Sequence, residues 1–232
     1  MSRQQTADSR EEGPEMTTAI VGVGNIGSAV ARHLVAGGEH VVLAGKNASG
    51  AQELAAELGP LARAAAVPDA IAEADTVVFA VWLDPMKELI PQVASVLDGK
   101  VVVDPSNPIA FDAQGQFVRS LPDDQSAGSV VAALLPAGAH YVKAFGTLAA
   151  EALAASANRT PERAALLYAT DDERAAHAAE RLIRAAGFDP VKAGGLADAG
   201  RIEAPGGDLH QFGFNGEVVS AEKARAAVTA AR

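Results

Sequence analysis

The chain has 232 residues, 49% of them hydrophobic and 21% charged, with a net charge of −10. That length suits one large domain or a domain with a small appendage, and the acidic balance argues against nucleic acid or an anionic membrane as the main partner. Zero cysteines exclude disulfides, thiolate nucleophiles, iron–sulfur clusters and cysteine zinc sites. Residues 1–15 are polar, contain Gly13-Pro14 and lack the apolar centre of a signal peptide, so a disordered leader is expected, with folding from Met16. No apolar run approaches the roughly 20 residues of a spanning helix, and a soluble, cytoplasmic protein is expected.

In chain order, the apolar run Thr18-Ala19-Ile20-Val21 empties into Gly22-Val23-Gly24-Asn25-Ile26-Gly27 and then into a helical pattern over 28–36. A strand, Gly-x-Gly-x-x-Gly and a helix in that order form a dinucleotide-binding fingerprint: Gly22 for the turn, Gly24 for approach of the pyrophosphate, Gly27 for close helix packing, with free helix N–H groups, from Asn25 and Ile26 onward, facing the anion. The next strand, 41–44, ends at Ala44-Gly45-Lys46-Asn47, with Ser49 following. An NAD site would place an acid there to hold the ribose 2′-OH. A cation and small donors stand there instead, which favours NADP(H). The alternative for Lys46 is a solvated loop lysine.

A helix over 48–58, a short strand over 61–67 and a proline-opened helix over 68–74 follow. The apolar run 76–81 reads as a strand covered on both faces, with Trp82 at its carboxyl end. A helix over 85–97 and a buried strand over 100–104 lead to Pro105-Ser106-Asn107-Pro108. Residues 109–125 read as a polar surface loop, possible as a lid, before a helix over 126–135. Strands over 140–145, 164–170 and 188–192 alternate with helices over 147–157 and 172–186, and a loop-rich stretch, 194–216, precedes a helix over 221–231. The fold class is α/β: a Rossmann-type doubly wound, mainly parallel sheet with a small C-terminal α/β extension. The expected division is a dinucleotide-binding domain over 16–148 and a small part over 149–232 that completes a second-substrate cleft.

Ligands of open parallel sheets collect beyond the carboxyl ends of the strands. That placement nominates Val81, Trp82, Ser106, Asn107 and Pro108 for the nicotinamide end of the cofactor. The bland readings are packing for Trp82 and a proline-framed turn for Ser106 and Asn107. The five histidines lack metal-ligand spacing, and Asp123-Asp124 and Asp171-Asp172 read as loop and cap carboxylates, so no metal is expected.

With Gly22-x-Gly24-Asn25-x-Gly27, Phe79-Ala80-Val81-Trp82, Asp104 to Pro108, Lys143-Ala144-Phe145, Ala169-Thr170-Asp171-Asp172 and Ala186-Gly187-Phe188-Asp189-Pro190 in this order, the chain resembles the NADPH-dependent coenzyme F420 reductases and their bacterial dinucleotide-binding relatives. The likeness covers residues 17–199. It implies a nicotinamide and a deazaflavin meeting in a cleft between the sheet and a small C-terminal part, with direct hydride transfer. Two departures touch the second-substrate side: Gly146-Thr147 follows Lys-Ala-Phe where the family pattern has Asn-Thr, and the short C-terminus carries Gly207-Asp208-Leu209-His210-Gln211-Phe212.

On that side the candidates are Lys143, to attract an anionic tail or ring oxygen, the junction Phe145-Gly146-Thr147, to cradle an anion on backbone N–H groups, and His210, to close over the ring. Their bland readings are a strand-edge lysine, a helix cap by Thr147 and a structural histidine. Hydride transfer between ring systems needs positioning and dryness more than a protein acid, so no catalytic side chain is named. The expected function is hydride transfer between NADPH and a deazaflavin (coenzyme F420) or related redox partner, by a homodimer. One alternative is reduction of a small carbonyl or imine, for which Lys143, Tyr141 and His210 are the available donors. The other is a non-catalytic NADP(H)-binding sensor or interaction module.

Overall fold

The computed structural model describes residues 16–230, so the expected leader lies outside the described residues. Strand β1 (Thr17–Val21) turns through the glycines into α1 (Asn25–Ala36), and β2 (His40–Ala44), α2 (Ala48–Leu58) and the short edge strand β3 (Ala62–Ala64) complete the first half. The chain then returns through α3 (Val67–Glu73) to β4 (Thr76–Phe79), α4 (Leu83–Leu97) and β5 (Val101–Asp104). β6 (Ile109–Phe111) and β7 (Phe117–Arg119) stand apart as a hairpin. α5 (Ala127–Leu134), β8 (His140–Lys143), α6 (Ala150–Ala155), β9 (Ala165–Ala169), α7 (Glu173–Ala185), β10 (Asp189–Gly194), a 3-10 helix (Leu196–Ile202) and α8 (Ala221–Ala230) follow.

The eight-stranded sheet has the order β10-β9-β8-β5-β4-β1-β2-β3. From β1 the chain moves outward through β2 and β3, then crosses back to β4 on the other side. The carboxyl ends of β1 and β4 therefore border the crevice where strand order reverses. All pairings are parallel except β8 with β9.

The wholly apolar strands follow from burial on both faces. Ile20, Val41, Leu43, Val78, Val101 and Val103 pack into one core with α1, α2 and α7. Their alternating neighbours Ala19, Val21, Val42, Val77, Phe79 and Val102 pack into a second core with α3, α4 and α5. This two-residue period is the pleat of the strand with both sides covered.

Two expectations change, and the mainly parallel sheet carries one antiparallel pairing. The stretch expected to be irregular loop contains the β6–β7 hairpin, paired from Ile109–Arg119 to Phe111–Phe117. Its turn is closed by Asp112 Oδ1, which accepts from the N–H groups of Gln114 (2.9 Å) and Gln116 (2.8 Å), and by Gly115 at φ 78°. The helix expected over 147–157 shrinks to six residues, because the backbone is still extended at Ala149 (φ −59°, ψ 152°) and leaves the helix at Ser156. The last two strands run against β8: Lys143 pairs with Ala169 at the carboxyl ends of both. The rest of β9 consequently rises beyond the carboxyl edge of β8. With β10 and α8 it forms a third apolar cluster that includes Leu167, Val191 and Leu209.

Candidate functional site

The glycine turn is built by contact as well as by conformation. Gly22 sits at φ 102°, where a side chain is strained, and a Cβ there would strike the Ala80 carbonyl and come within 2.8 Å of Val81 Cγ1. A Cβ on Gly27 would run into the Gly22 carbonyl and reach 3.0 Å from Ala80 Cβ. Around Gly24 nothing lies within 4 Å of the Cβ position, and it precedes α1 with no side-chain cap and no acid in the first turn. The opening N–H groups of a twelve-residue helix, at Asn25, Ile26 and Gly27, are thus left for an anion. This cradle, tight where the turn packs and empty above Gly24, fits a pyrophosphate.

Beside it, Gly45 is half-buried and Lys46, Asn47 and Ser49 are exposed. Asn47 Oδ1 caps α2 by accepting from Ser49 N (3.1 Å) and Ser49 Oγ (2.8 Å), and the first turn of α2 carries no acid. The loop presents a lysine and a helix N-terminus, which suits a 2′-phosphate. Ala44 is fully buried in the second core, so an acid able to reach a ribose belongs at position 45, where a Cβ comes no closer than 3.7 Å to any neighbour, Val23 Cγ2 being the nearest. Gly45→Asp combined with Lys46→Ala is expected to lower the NADPH-over-NADH affinity ratio by about a hundredfold. An unchanged ratio in calorimetric titrations would remove the 2′-phosphate from this loop.

At the carboxyl ends of β4 and β5, Trp82 is 55% exposed, whereas Ser106 is buried with no partner for Oγ, and Pro108 is buried. Asn107 is already engaged. Its Nδ2 donates to the Gly146 carbonyl (3.0 Å), and its Oδ1 accepts from Ala204 N (2.8 Å). The Asn107 side chain therefore fastens the 105–108 turn to the C-terminal segment and keeps one N–H, beside the backbone and Ser106, for a nicotinamide.

The second-substrate candidates sit differently from the sequence expectation. Lys143 is 1% exposed and has no amine N–H to offer an anion. It donates to Asp104 Oδ2 (3.0 Å) and to the Ser106 carbonyl, and lies 3.4 Å from Glu203 Oε1. Asp104 also accepts from Tyr141 Oη (2.8 Å) and Ser106 N (2.7 Å), and Glu203 accepts from the N–H groups of Ala127 (2.9 Å) and Gly128 (2.8 Å) at the start of α5. Burial and the neighbouring Asp104 carboxylate push the Tyr141 phenol well above its ordinary range. Gly128 has to be small here, since a Cβ would lie 2.7 Å from Ala199 Cβ. One buried cation and two buried carboxylates thus clamp the ends of β5 and β8, α5 and the 3-10 helix beneath the 105–108 turn. Asp104 and Glu203 escaped sequence reasoning. The one available signal was a lone Asp and a lone Lys closing two apolar strands.

The junction at 145–147 is buried rather than open to solvent. Thr147 does not cap α6 and its buried Oγ1 has no partner, and the C-terminal segment engages two neighbouring backbone groups. Gln211 N donates to the Thr147 carbonyl (2.9 Å), and Ala149 N donates to Gln211 Oε1 (2.9 Å). His210 is 2% exposed, and its Nδ1 accepts from Phe212 N (3.2 Å). Burial lowers its pKa to about 4, partly opposed by a hydrogen bond to the Gly146 backbone, so it is neutral at pH 7 and pins the loop rather than closing over a ring. The unfolded chain binds this proton near pH 6.5 and the folded chain near 4, so stability is complete above 6.5 and falls as the pH drops through 4. The expected loss is about 3 kcal/mol across that window. His210→Gln should flatten this part of the urea-denaturation profile; an unaltered profile would place the titration elsewhere.

A separate hollow of about 770 Å³ borders Arg119, and Asp123, Asp124 and Asp171 line it. Three carboxylates make it unsuited to an anionic dinucleotide. Among the described residues no cluster of His, Asp and Glu fits a metal, and no helix is long and apolar enough to cross a membrane.

Residues 17–108 match the family described as NADP oxidoreductase, coenzyme F420-dependent. The chain is 31% identical over 198 residues to metalloreductase STEAP3 of Rattus norvegicus, a match covering 85% of this chain and 37% of that protein. It therefore spans little more than a third of that relative's length. Hypothetical protein SMa0349 of Sinorhizobium meliloti superimposes with a TM-score of 0.74 at 33% identity, over 82% of this chain and 91% of that one. A candidate F420-dependent NADP reductase of Arthrobacter sp. FB24 superimposes with a TM-score of 0.68 at 23% identity, over 79% of this chain and 87% of that one, and shows the shared fold.

Proposed function

Because this chain belongs to the family of coenzyme F420-dependent NADP oxidoreductases, we propose that its crevice holds NADP(H) and that it transfers a hydride between the nicotinamide and a deazaflavin or related redox ring. When bound, NADPH supplies two electrons and one proton as the hydride, and the acceptor takes its second proton from solvent. The chain's own residues bind and orient. Gly22, Gly24 and Gly27 with the α1 N-terminus take the pyrophosphate, Lys46 with the α2 N-terminus takes the 2′-phosphate, and the clamped 105–108 turn sets the nicotinamide end.

The observation that carries the choice of acceptor is the fate of the three side chains a carbonyl or imine reductase would need. Lys143 has its amine occupied, the Tyr141 hydroxyl donates to Asp104, and His210 is buried and neutral. None offers a proton to a pocket, and a ring that carries its own electronic chemistry needs none. Homodimerisation and a cytoplasmic setting belong to this same reading, and sedimentation velocity tests the first.

The deciding experiment is anaerobic NADPH oxidation with coenzyme F420, alongside FMN and a panel of small carbonyls and imines. Saturable turnover with the deazaflavin is expected. Turnover confined to carbonyls or imines, or tight NADPH binding without turnover, would overturn the assignment, the latter in favour of a sensing role.

A further inference from the structure

We propose that Trp82, Phe111 and Phe117 form a stacking platform for the hydride acceptor, restricting the second substrate to flat, fused-ring redox compounds. The proposal rests on the reading that the neighbouring crevice holds NADP(H). Aromatic residues make up 4% of the chain, yet these three lie together in the open. They are 55%, 58% and 64% exposed, Trp82 meets Phe111 edge to face with centroids 6.1 Å apart, and Phe111 meets Phe117 at 4.9 Å. Of the six exposed large hydrophobic residues among the described ones, three are in this patch, so it is a concentration rather than the usual scatter.

Its location ties it to the cofactor. Trp82 directly follows Val81, whose Cγ1 stands against the Gly22 turn. Phe111 and Phe117 ride on the hairpin that begins two residues after Asn107. The rings therefore span the ends of β4 and β5, beside the turn assigned to the nicotinamide. The hairpin is held at its base: Ser120 N donates to the Pro108 carbonyl (2.9 Å), and the Arg119 guanidinium donates to the carbonyls of Pro205 and Gln125. A fixed base holds the rings in one mutual arrangement, tilted by 63° and 37° to each other, so that a flat ligand can stack on one ring face and meet the edges of its neighbours. Hydride transfer requires the reacting atoms to come within about 3–3.5 Å, and a planar acceptor lying on these rings gains aromatic contact and loses water from the same surface. A protein partner fits less well, since two rings on a short hairpin and one at the end of β4 offer far less than the roughly 800 Å² per partner of a standard interface.

Trp82 is the single tryptophan in the chain, so tryptophan emission reports from the platform itself. The 232-residue chain, saturated with NADP⁺, is titrated with FMN and separately with coenzyme F420. Saturable quenching by at least one of them is expected. The double variant Phe111→Ala/Phe117→Ala, altered only at exposed positions, should weaken that ligand's Kd at least about tenfold, with NADP⁺ affinity and Tm unchanged. Absence of quenching by both ligands overturns the platform. So does unchanged ligand affinity in the double variant, whether or not the variant shifts the sedimentation coefficient and so reveals a contact between copies. Ring binding without NADPH oxidation leaves the platform standing and removes the proposed reaction instead.

Discussion

Replacing Lys143 with methionine is expected to lower the unfolding free energy by about 3–5 kcal/mol, a large share of the roughly 5–15 kcal/mol typical of a whole domain. The side chain is 1% exposed, and its two carboxylate partners, Asp104 and Glu203, are fully buried. Methionine fills similar volume but leaves two like charges in a site that water does not reach, and one must then take up a proton to be tolerated. The loss should therefore shrink as the pH is lowered. The double variant Lys143→Met/Glu203→Gln removes one of the stranded charges and should recover part of the stability, because Gln can still accept from an α5 N–H. Urea denaturation of the single and double variants reads both effects. A loss within about 0.5 kcal/mol, the ordinary cost at a surface position, would return Lys143 to the strand-edge or anion-attracting role suggested by its sequence context.

The glycine turn separates packing from binding in a way two alanine variants can resolve. At Gly27 a Cβ collides with the Gly22 carbonyl, and backbone cannot swing aside as the tip of a flexible side chain does. Gly27→Ala should displace the turn from α1, weaken NADPH affinity by about a hundredfold or more and lower Tm as well. At Gly24 nothing stands within 4 Å and φ is −73°, a value any residue adopts. Gly24→Ala should leave Tm unchanged while pushing the pyrophosphate off the helix N-terminus, at a cost of about tenfold or more in affinity. Calorimetric titration beside thermal melts gives both readouts for each variant. Full NADPH affinity in Gly24→Ala would mean that the dinucleotide does not cross the turn at that point.

The first half of the fold was legible because its signals are local. Strands β1, β2, β4 and β5 announce themselves as unbroken apolar runs, and Gly22-x-Gly24-x-x-Gly27 sits between a strand and a helix; further along, the helices expected from Ser126 and Asp172 open with those side chains as caps. The hairpin was not legible. Its strands have three residues each, and Phe111, Phe117 and Val118 face water, so neither length nor burial leaves a pattern to read. The reversed direction of β9 was equally hidden, since parallel and antiparallel strands covered on both faces are composed alike.

By itself the sequence determined the α/β class, the strand–glycine–helix cradle and the acid-free loop at Gly45-Lys46-Asn47, because each depends on residues adjacent along the chain. Only the tertiary structure decided what the isolated polar groups do. Lys143 meets Asp104 across 39 positions, and Glu203 reaches the α5 N-terminus across 76. Asn107 and His210 fasten the C-terminal segment. A charge at the end of an apolar strand has the same neighbours in sequence whether it faces solvent or a buried partner. Its role is settled by desolvation and pairing, and those exist once distant strand ends have been brought together.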